Sequence, residues 1–353
     1  MEKNALCLSG GGVKAFAHIG AIKALEESNI KFNMVAGTSS GSIIALLYAL
    51  GYSSEEMYDI FKKYCKKIKY VDIKNIFKII VGLIFRRKLI VNGLTDGKVI
   101  VKAIKEICKK SGISNINEVK MPVIIPAVNL KNGELIVFSS KEIRNKISDE
   151  VKYVTDAPID VAIRSSCSYP AVFSPYVWKE KQLVDGGIRE NVAWKELKDI
   201  GATKVFGINF ETQLKEKECC ENMIEVAVRS INMMAHEFSN YELDGIDKLV
   251  TITTEKVGLL DTNKMDYLYE TGYKTMKRYL KRAGIWVIPA LSVVAEVGFE
   301  PTTSGLWALR AANCSTPRCA TRIIIQLRVS VVNTYKLIYL YYMQKLVKYY
   351  SKF

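Results

Sequence analysis

Two strand–turn–helix units occupy the first 50 residues, and they constrain the fold more than any other feature of the chain. Residues 4–8 are apolar and run into three glycines, after which a helical pattern begins. Residues 32–36 are also apolar, and they meet a short turn at residues 37–41 and a second apolar helix. Strands that alternate with helices are typical of a parallel sheet covered by helices. The sequence therefore predicts an α/β fold, a three-layer α/β/α sandwich with a mostly parallel central sheet.

The rest of the chain continues this mixture of strands and helices. Apolar periodicity predicts helices over residues 53–69, 96–110, 158–167, 221–240 and 265–282. It predicts strands over residues 122–130, 135–139, 182–184, 204–209 and 249–253. Asn132 and Gly133 separate two of these strands and predict a hairpin turn.

Composition narrows the partners that the chain can have. The net charge of +15 favours anionic partners, namely a membrane surface, nucleic acid or a phosphate-bearing substrate. No motif of interleaved aromatic and basic residues accompanies the charge, so nucleic acid is not an expected partner. Eight cysteines without a CxxC pair indicate no metal site, and no cofactor is expected. No signal peptide or transmembrane helix is predicted, and we expect a cytoplasmic protein for which any membrane contact is peripheral.

Two short motifs lie where a strand meets a helix. The first, Gly10-Gly11-Gly12-Val13-Lys14, can turn sharply and present backbone N–H groups to an anion. It fits neither the dinucleotide pattern, which ends here in Ala15 instead of glycine, nor the phosphate-binding P-loop.

The second motif is Gly37-Thr38-Ser39-Ser40-Gly41, which fits G-x-S-x-G at a strand-to-helix turn. Such a turn projects the Ser39 hydroxyl above the sheet as a nucleophile. The glycines at its ends prevent a clash between strand and helix, and the Ser40 N–H can stabilise an oxyanion.

A third motif, Asp185-Gly186-Gly187, follows a predicted strand and offers a base for the serine. The alternative base is a histidine, and the chain has two. His18 lies within the first helix and is expected to be packed there. His236 would complete a Ser39–Asp185–His236 triad in α/β-hydrolase order, but it falls in a predicted helix, and Ser39 follows only two strands. Direct proton transfer from Ser39 to Asp185 is therefore preferred, with the His236 esterase as the alternative.

These three motifs, in this order and spacing, resemble those of the patatin-like phospholipase family. Residues 164–173 and 270–273 also look like stretches of that family, and the resemblance covers residues 4–283. Two positions depart from the pattern: Ala15 replaces the last glycine of the first motif, and Ser9 stands where many members have an aspartate.

The resemblance implies a serine lipid acyl hydrolase that cleaves carboxylic ester bonds of phospholipids or related lipids through an acyl-enzyme. Ser39 would be the nucleophile and Asp185 the base. The oxyanion hole is expected to be formed by Gly10, Gly11, Gly12 and Val13. The supporting residues are expected to be Lys14, Gly37, Ser40, Gly41, Gly186 and Gly187.

Two segments remain outside this scheme. Residues 73–94 are basic and apolar, and are expected either to contact a membrane or to cap the site. The catalytic domain is expected over residues 1–290. Residues 291–353 are expected to be an atypical, poorly ordered extension. Because residues 297–319 resemble a peptide that arises when a reading frame runs through a tRNA gene, the extension is expected to be a read-through artefact and not a natural domain; a basic membrane-binding tail is the alternative.

Overall fold

The computed structural model describes residues 3–67, 95–143, 151–170, 172–211, 226, 229–230, 233–234, 242–254, 257 and 261–284. The strands in these ranges are β1 (Asn4–Leu8), β2 (Met34–Gly37), β3 (Val123–Asn129), β4 (Leu135–Ser139), β5 (Val151–Val154), β6 (Tyr176–Trp178), β7 (Lys181–Asp185), β8 (Lys204–Phe210) and β9 (Lys248–Ile252). The α-helices are α1 (Ala15–Glu27), α2 (Ser40–Ala49), α3 (Ser54–Cys65), α4 (Lys98–Ser111), α5 (Ile159–Ser166), α6 (Trp194–Asp199) and α7 (Met265–Arg282).

One twisted sheet carries all of these strands. Its main path runs β5-β4-β3-β2-β1-β8-β9, and the hairpin of β6 and β7 joins it through β3. The five strands from β3 to β9 along this path are parallel to one another. Antiparallel pairing is confined to β4 and β7 against β3 and to the β6–β7 hairpin. The predicted α/β class with a mostly parallel sheet is therefore confirmed.

Helices cover both faces of the sheet, which gives three layers. Along β1, Leu6 and Leu8 join a large apolar core that includes side chains of α1, α2, α4 and α7. The alternate residues, Ala5 and Cys7, face a smaller core that Leu197 of α6 helps to close. Because successive side chains of a strand point to opposite faces, this division places one helical layer on each side.

The predicted elements agree with the structure to within a few residues, and three short elements were missed. These are β5, β6 and α6, which have four, three and six residues. Most of the predicted helix 221–240, the segment 73–94 and the extension 291–353 lie outside the described residues. No helix among the described residues is long and apolar enough to span a bilayer.

Helices α1 and α7 cross at a contact that only glycine permits. A Cβ atom on Gly20 would lie 1.9 Å from the carbonyl oxygen of Tyr269, and one on Gly272 would lie 1.9 Å from that of Ala17. Both obstacles are backbone atoms, so no rotation of a side chain can relieve the overlap. The two helices must separate to accept even a methyl group.

We expect Gly272→Ala to destabilise the protein by about 1–3 kcal/mol, although alanine favours a helix more than glycine does. The physical reason is the forced separation of α1 from α7. Urea unfolding measures the change, with the exposed Lys274→Ala on the same helix as the control, expected to stay within about 0.5 kcal/mol of wild type. A Gly272→Ala protein as stable as wild type would contradict the close crossing.

Candidate active site

The turn between β2 and α2 holds Ser39 in a strained conformation. Its backbone has φ 53° and ψ −128°, in the half of the map that favours glycine. The turn is tight: a Cβ on Gly37 would lie 2.3 Å from the carbonyl oxygen of Gly41, and one on Gly41 would lie 2.5 Å from that of Ser9. A side chain at either glycine would therefore clash with backbone across the turn.

Strand β7 brings Asp185 to this turn. Both β2 and β7 pair with the same side of β3, since β4 pairs with the other side. Ala36 is opposite Ile124, and Asp185 is opposite Ala127, three residues further along β3. Strand β2 runs parallel to β3 and β7 runs antiparallel, so their carboxyl ends point at each other across a gap of about 10 Å. Ser39 follows β2 into that gap.

The Asp185 carboxyl group is buried beside the serine. Its Oδ1 accepts a hydrogen bond from the Gly187 N–H at 2.9 Å, while its buried Oδ2 lacks a hydrogen bond of normal geometry among the described residues. Burial raises the pKa of Asp185 to about 7, and the nearby Ser39 hydroxyl and the Gly187 N–H lower it only in part. Gly186 fits tightly here, since a Cβ would lie 2.5 Å from the Pro126 carbonyl oxygen.

The glycine-rich loop lies directly against the serine turn. A Cβ on Gly10 would be 2.9 Å from the Cβ of Ser39. The N–H groups of Gly11, Gly12 and Val13 donate no hydrogen bond within the described part of the chain. Helix α2 begins at Ser40, so the partial positive charge of its N-terminus is added at the same place. This group of N–H donors can stabilise an anion.

Gly10 differs from the other three residues of the predicted oxyanion hole. Its N–H donates to Oδ1 of Asn191 at 2.9 Å and is therefore occupied. Gly10 packs on Ser39 within the predicted oxyanion loop, and its N–H is not one of the free donors there. The second glycine, Gly11, is held close to an aromatic ring, since a Cβ there would lie 2.7 Å from Phe210.

Asn191 is a site residue that the motifs did not reveal. Its Oδ1 joins the glycine-rich loop to the segment that follows Asp185, across 181 positions of the chain. Its own backbone N–H and that of Val192 donate to the carboxylate of Glu242. Burial raises the pKa of Glu242 to about 7. A lone asparagine carries no sequence signal for such a contact, so only the structure could find it.

The end of α5 braces both the serine and the aspartate. Ser166 Oγ accepts a hydrogen bond from the Ser39 N–H at 2.9 Å, and the Ser168 carbonyl accepts one from the Asp185 N–H at 3.1 Å. Arg164 is 1% exposed, and its guanidinium donates to Ser168 Oγ at 2.5 Å and to the carbonyls of Asp96 and Ser174. Residues 164–168 therefore hold the two halves of the site at a fixed distance.

The two histidines and Lys14 are the remaining polar residues that the sequence singled out. His18 is fully buried in α1, where its Nε2 lies 2.9 Å from the Ser9 carbonyl oxygen, and burial lowers its pKa to about 4. It is packed in the helix, as predicted. Lys14 is half-buried beside the loop, and burial lowers its pKa. His236 lies outside the described residues.

A strained serine at a strand-to-helix turn, a buried carboxyl group and a group of N–H donors lie together on this α/β fold. This arrangement is typical of enzymes that use a serine nucleophile. Comparison with known sequences identifies the family. A family model described as patatin-like phospholipase matches residues 6–198, which is more than half of the chain. The chain belongs to the patatin-like phospholipase family.

Individual relatives are more distant and differ in length. The uncharacterized protein YqhO of Bacillus subtilis is 33% identical over 191 residues, which cover 52% of this chain and 62% of the relative. Lysophospholipase NTE1 of Yarrowia lipolytica is 28% identical over 204 residues, 58% of this chain and 12% of that protein. Among solved structures, VipD from Legionella pneumophila has 15% identity and a TM-score of 0.40, over 80% of this chain and 67% of that chain. The chain thus spans less than two thirds of the first two relatives.

The buried Asp185 should make stability depend on pH. A folded-state pKa of about 7 against an ordinary 3.8 means that ionisation opposes folding as pH rises through this range. Asp185→Asn cannot ionise, so it should be more stable than wild type above about pH 7, by up to about 4 kcal/mol, with the difference shrinking toward about pH 4.

Urea unfolding at several pH values measures this difference. The control is Asp59→Asn, because Asp59 is an exposed aspartate of α3. A gain in stability that is the same at every pH, or that also appears in the control, would count against a buried, ionisable Asp185.

Proposed function

We propose that the protein is a serine lipid acyl hydrolase that cleaves carboxylic esters of phospholipids or related acyl lipids through a Ser39–Asp185 dyad. The observation that carries this proposal is the meeting of the two side chains beside unoccupied N–H donors. Membership of the patatin-like phospholipase family supports a lipid ester as substrate. The fungal relatives named lysophospholipase agree with that class.

Proton transfer begins the proposed reaction. Ser39 Oγ attacks the ester carbonyl carbon while its proton passes to Asp185, and the carbonyl oxygen becomes an oxyanion. When the tetrahedral intermediate collapses, Asp185 returns the proton to the departing alcohol and an acyl-serine remains. Water then attacks the acyl-serine, with Asp185 again taking and returning a proton. A base of pKa about 7 suits this role near neutral pH, because it is both ionised and strong enough to accept the proton.

Stabilisation of the oxyanion falls to the N–H groups of Gly11, Gly12 and Val13. They lie on the loop that contacts Ser39, and none is occupied by another described residue. Losing one such donor typically lowers kcat about 100- to 1,000-fold. Lys14 is close to this loop and partly shielded from water, which suits support of the loop or contact with a substrate phosphate.

The competing function is an esterase that uses a triad with His236. What favours the dyad is the immediate surroundings of Asp185: the nearby Ser39 hydroxyl itself lowers the pKa of the carboxyl group, whereas the described histidine, His18, faces the Ser9 carbonyl. A triad would instead place the acid behind the histidine, away from the serine.

Removing either member of the dyad should abolish turnover. We expect Ser39→Ala and Asp185→Asn to lower kcat/KM on a fluorogenic acyl ester and on a lysophospholipid by at least about 1,000-fold. In wild type, kcat/KM should rise as pH passes through about 7, because Asp185 must be ionised to accept the proton.

Two variants serve as controls for the dyad. Ser40→Ala keeps its backbone N–H and should retain most of the activity. His236→Ala should leave kcat/KM unchanged if the enzyme uses the dyad, and should lower it strongly if the enzyme uses the triad. Activity that survives in Ser39→Ala or Asp185→Asn, with the fold intact by circular dichroism, would refute the dyad.

Loss of the Asn191 side chain should release the glycine-rich loop from the site. We expect Asn191→Ala to lower kcat about 10- to 100-fold with a smaller change in KM, because the loop donors act mainly on the transition state. Asn191→Asp keeps the acceptor for the Gly10 N–H but adds a negative charge near Asp185. It should therefore retain more activity than Asn191→Ala and move the acid limb of the pH profile to higher pH. Equal losses and unchanged pH profiles in both variants would argue against this role.

A further inference from the structure

Four lysines of α4 form one narrow face of the helix, which we call the lysine face. They follow one another at intervals of four, three and four residues, so they lie nearly in line along the helix axis over about 16 Å. The opposite side of α4 is buried in the large core. The members of the lysine face are Lys98, Lys102, Lys105 and Lys109.

An open groove of about 520 Å³ runs beside the lysine face. Its apolar surface comes from Val101 and from the ring of Tyr176. Glu106 is the acidic residue that lines it, and this carboxylate already accepts a hydrogen bond from the Tyr64 hydroxyl at 2.5 Å and lies 4.0 Å from Lys63 Nζ. The groove therefore combines an apolar surface with an excess of positive charge.

The carboxylates near the lysine face do not neutralise its positive charge. Lys98 pairs with Asp96 at 2.7 Å and Lys105 with Asp160 at 3.6 Å, yet these two lysine side chains remain 85% and 66% exposed. Ion pairs so exposed are weak, because water screens them. No carboxylate lies within 4.0 Å of the Lys102 or Lys109 ammonium in the described ranges.

Direct contacts connect the groove to the candidate active site. Tyr176 belongs to β6 and pairs with Leu183 of β7, two residues before Asp185. The Arg164 guanidinium stacks on the Tyr176 ring with its centre 5.6 Å away. The same guanidinium donates at 2.9 Å to the Asp96 carbonyl, just before α4 begins. Whatever binds the lysine face is thus held next to the hairpin that carries the proposed base.

We infer that the lysine face of α4 docks the protein on anionic phospholipid membranes. This inference rests on the proposed function in one respect only, namely that the substrate is a lipid. A row of exposed ammonium groups attracts the phosphates of anionic headgroups, and each added basic residue strengthens binding to such a surface. The apolar surface of the groove can contact the acyl chains just below the headgroups.

Nucleic acid is the other polyanion that lysines attract, and the groove suits it less well. Single-stranded nucleic acid is held by stacking on several aromatic rings, whereas among the described residues that line the groove Tyr176 alone is aromatic. The membrane is therefore the favoured occupant, and binding of RNA is kept as an outcome of the experiment.

The test compares Lys102→Gln/Lys109→Gln with a control of equal charge, Lys274→Gln/Lys281→Gln. Both control lysines are exposed residues of α7, which packs on α1. Full-length proteins are floated with vesicles of phosphatidylcholine, with and without phosphatidylglycerol. Removing two lysines from the face should weaken partitioning onto the anionic vesicles about 25-fold, since each basic residue near an anionic surface contributes about a factor of five. The control should change it much less, and added salt should weaken binding of wild type.

Three results would overturn the inference. The first is equal binding of wild type to vesicles with and without phosphatidylglycerol, or no binding to either. The second is an equal loss of vesicle binding in the two double variants. The third is a lysine-face variant that no longer binds an RNA homopolymer but still binds vesicles, which would assign the face to nucleic acid.

Kinetics separates this inference from the proposed function. The lysine-face variant should hydrolyse a soluble short-chain ester as wild type does, and should slow only on anionic vesicle substrate. If wild type fails to turn over any ester, the proposed function fails, while the vesicle-binding comparison still decides the docking surface. Equal rates of variant and wild type on vesicles would contradict a role of the face in reaching the substrate.

Discussion

The tight turn between β2 and α2 is the constraint on which the site depends. With a Cβ on Gly41, α2 could not approach within contact of the Ser9 and Leu8 carbonyls, which lie 2.5 and 2.7 Å from where that atom would be. Since Ser9 leads into the glycine-rich loop, the close approach fixes this loop relative to the serine turn. The approach of Gly41 to these carbonyls places both the loop that touches Ser39 and the helix that follows it. The strained backbone of Ser39 is therefore held by its surroundings on both sides.

A second constraint comes from a buried polar network at the end of α5. Burying a guanidinium costs free energy unless its N–H groups are hydrogen-bonded. The Arg164 guanidinium donates to carbonyl and hydroxyl oxygens and so meets this condition. Those acceptors belong to the start of α4 and to the residues after α5. The neighbouring Ser166 and Ser168 contact Ser39 and Asp185. The hydrogen bonds of Arg164 thus connect the proposed dyad to the helix that carries the lysine face.

The parts of this structure that local patterns encode could be predicted from the sequence, and the parts set by tertiary contacts could not. Long apolar runs and glycine motifs identified most of the helices and strands, and α7 was predicted at its observed bounds. Strand β6 has only three residues, too few for a period to emerge. The pairing of β7 with β3 and the contact of Asn191 with Gly10 join distant positions without a local signal. The sequence could not show that the Gly10 N–H is occupied, because its acceptor lies 181 residues away.

Burial gives Asp185 a property that aspartate lacks in water. Its pKa of about 7 is close to that of a free imidazole, about 6.5, so a carboxyl group can serve here as the base that a histidine supplies in a triad. The same burial destabilises the folded state at the pH at which the base is ionised. A site of this kind requires surroundings that hold the carboxylate in place against that cost. Strand pairing on β3, the Ser168 carbonyl and the Gly187 N–H provide this restraint, which explains why the proposed dyad is built into the sheet and not on a free loop.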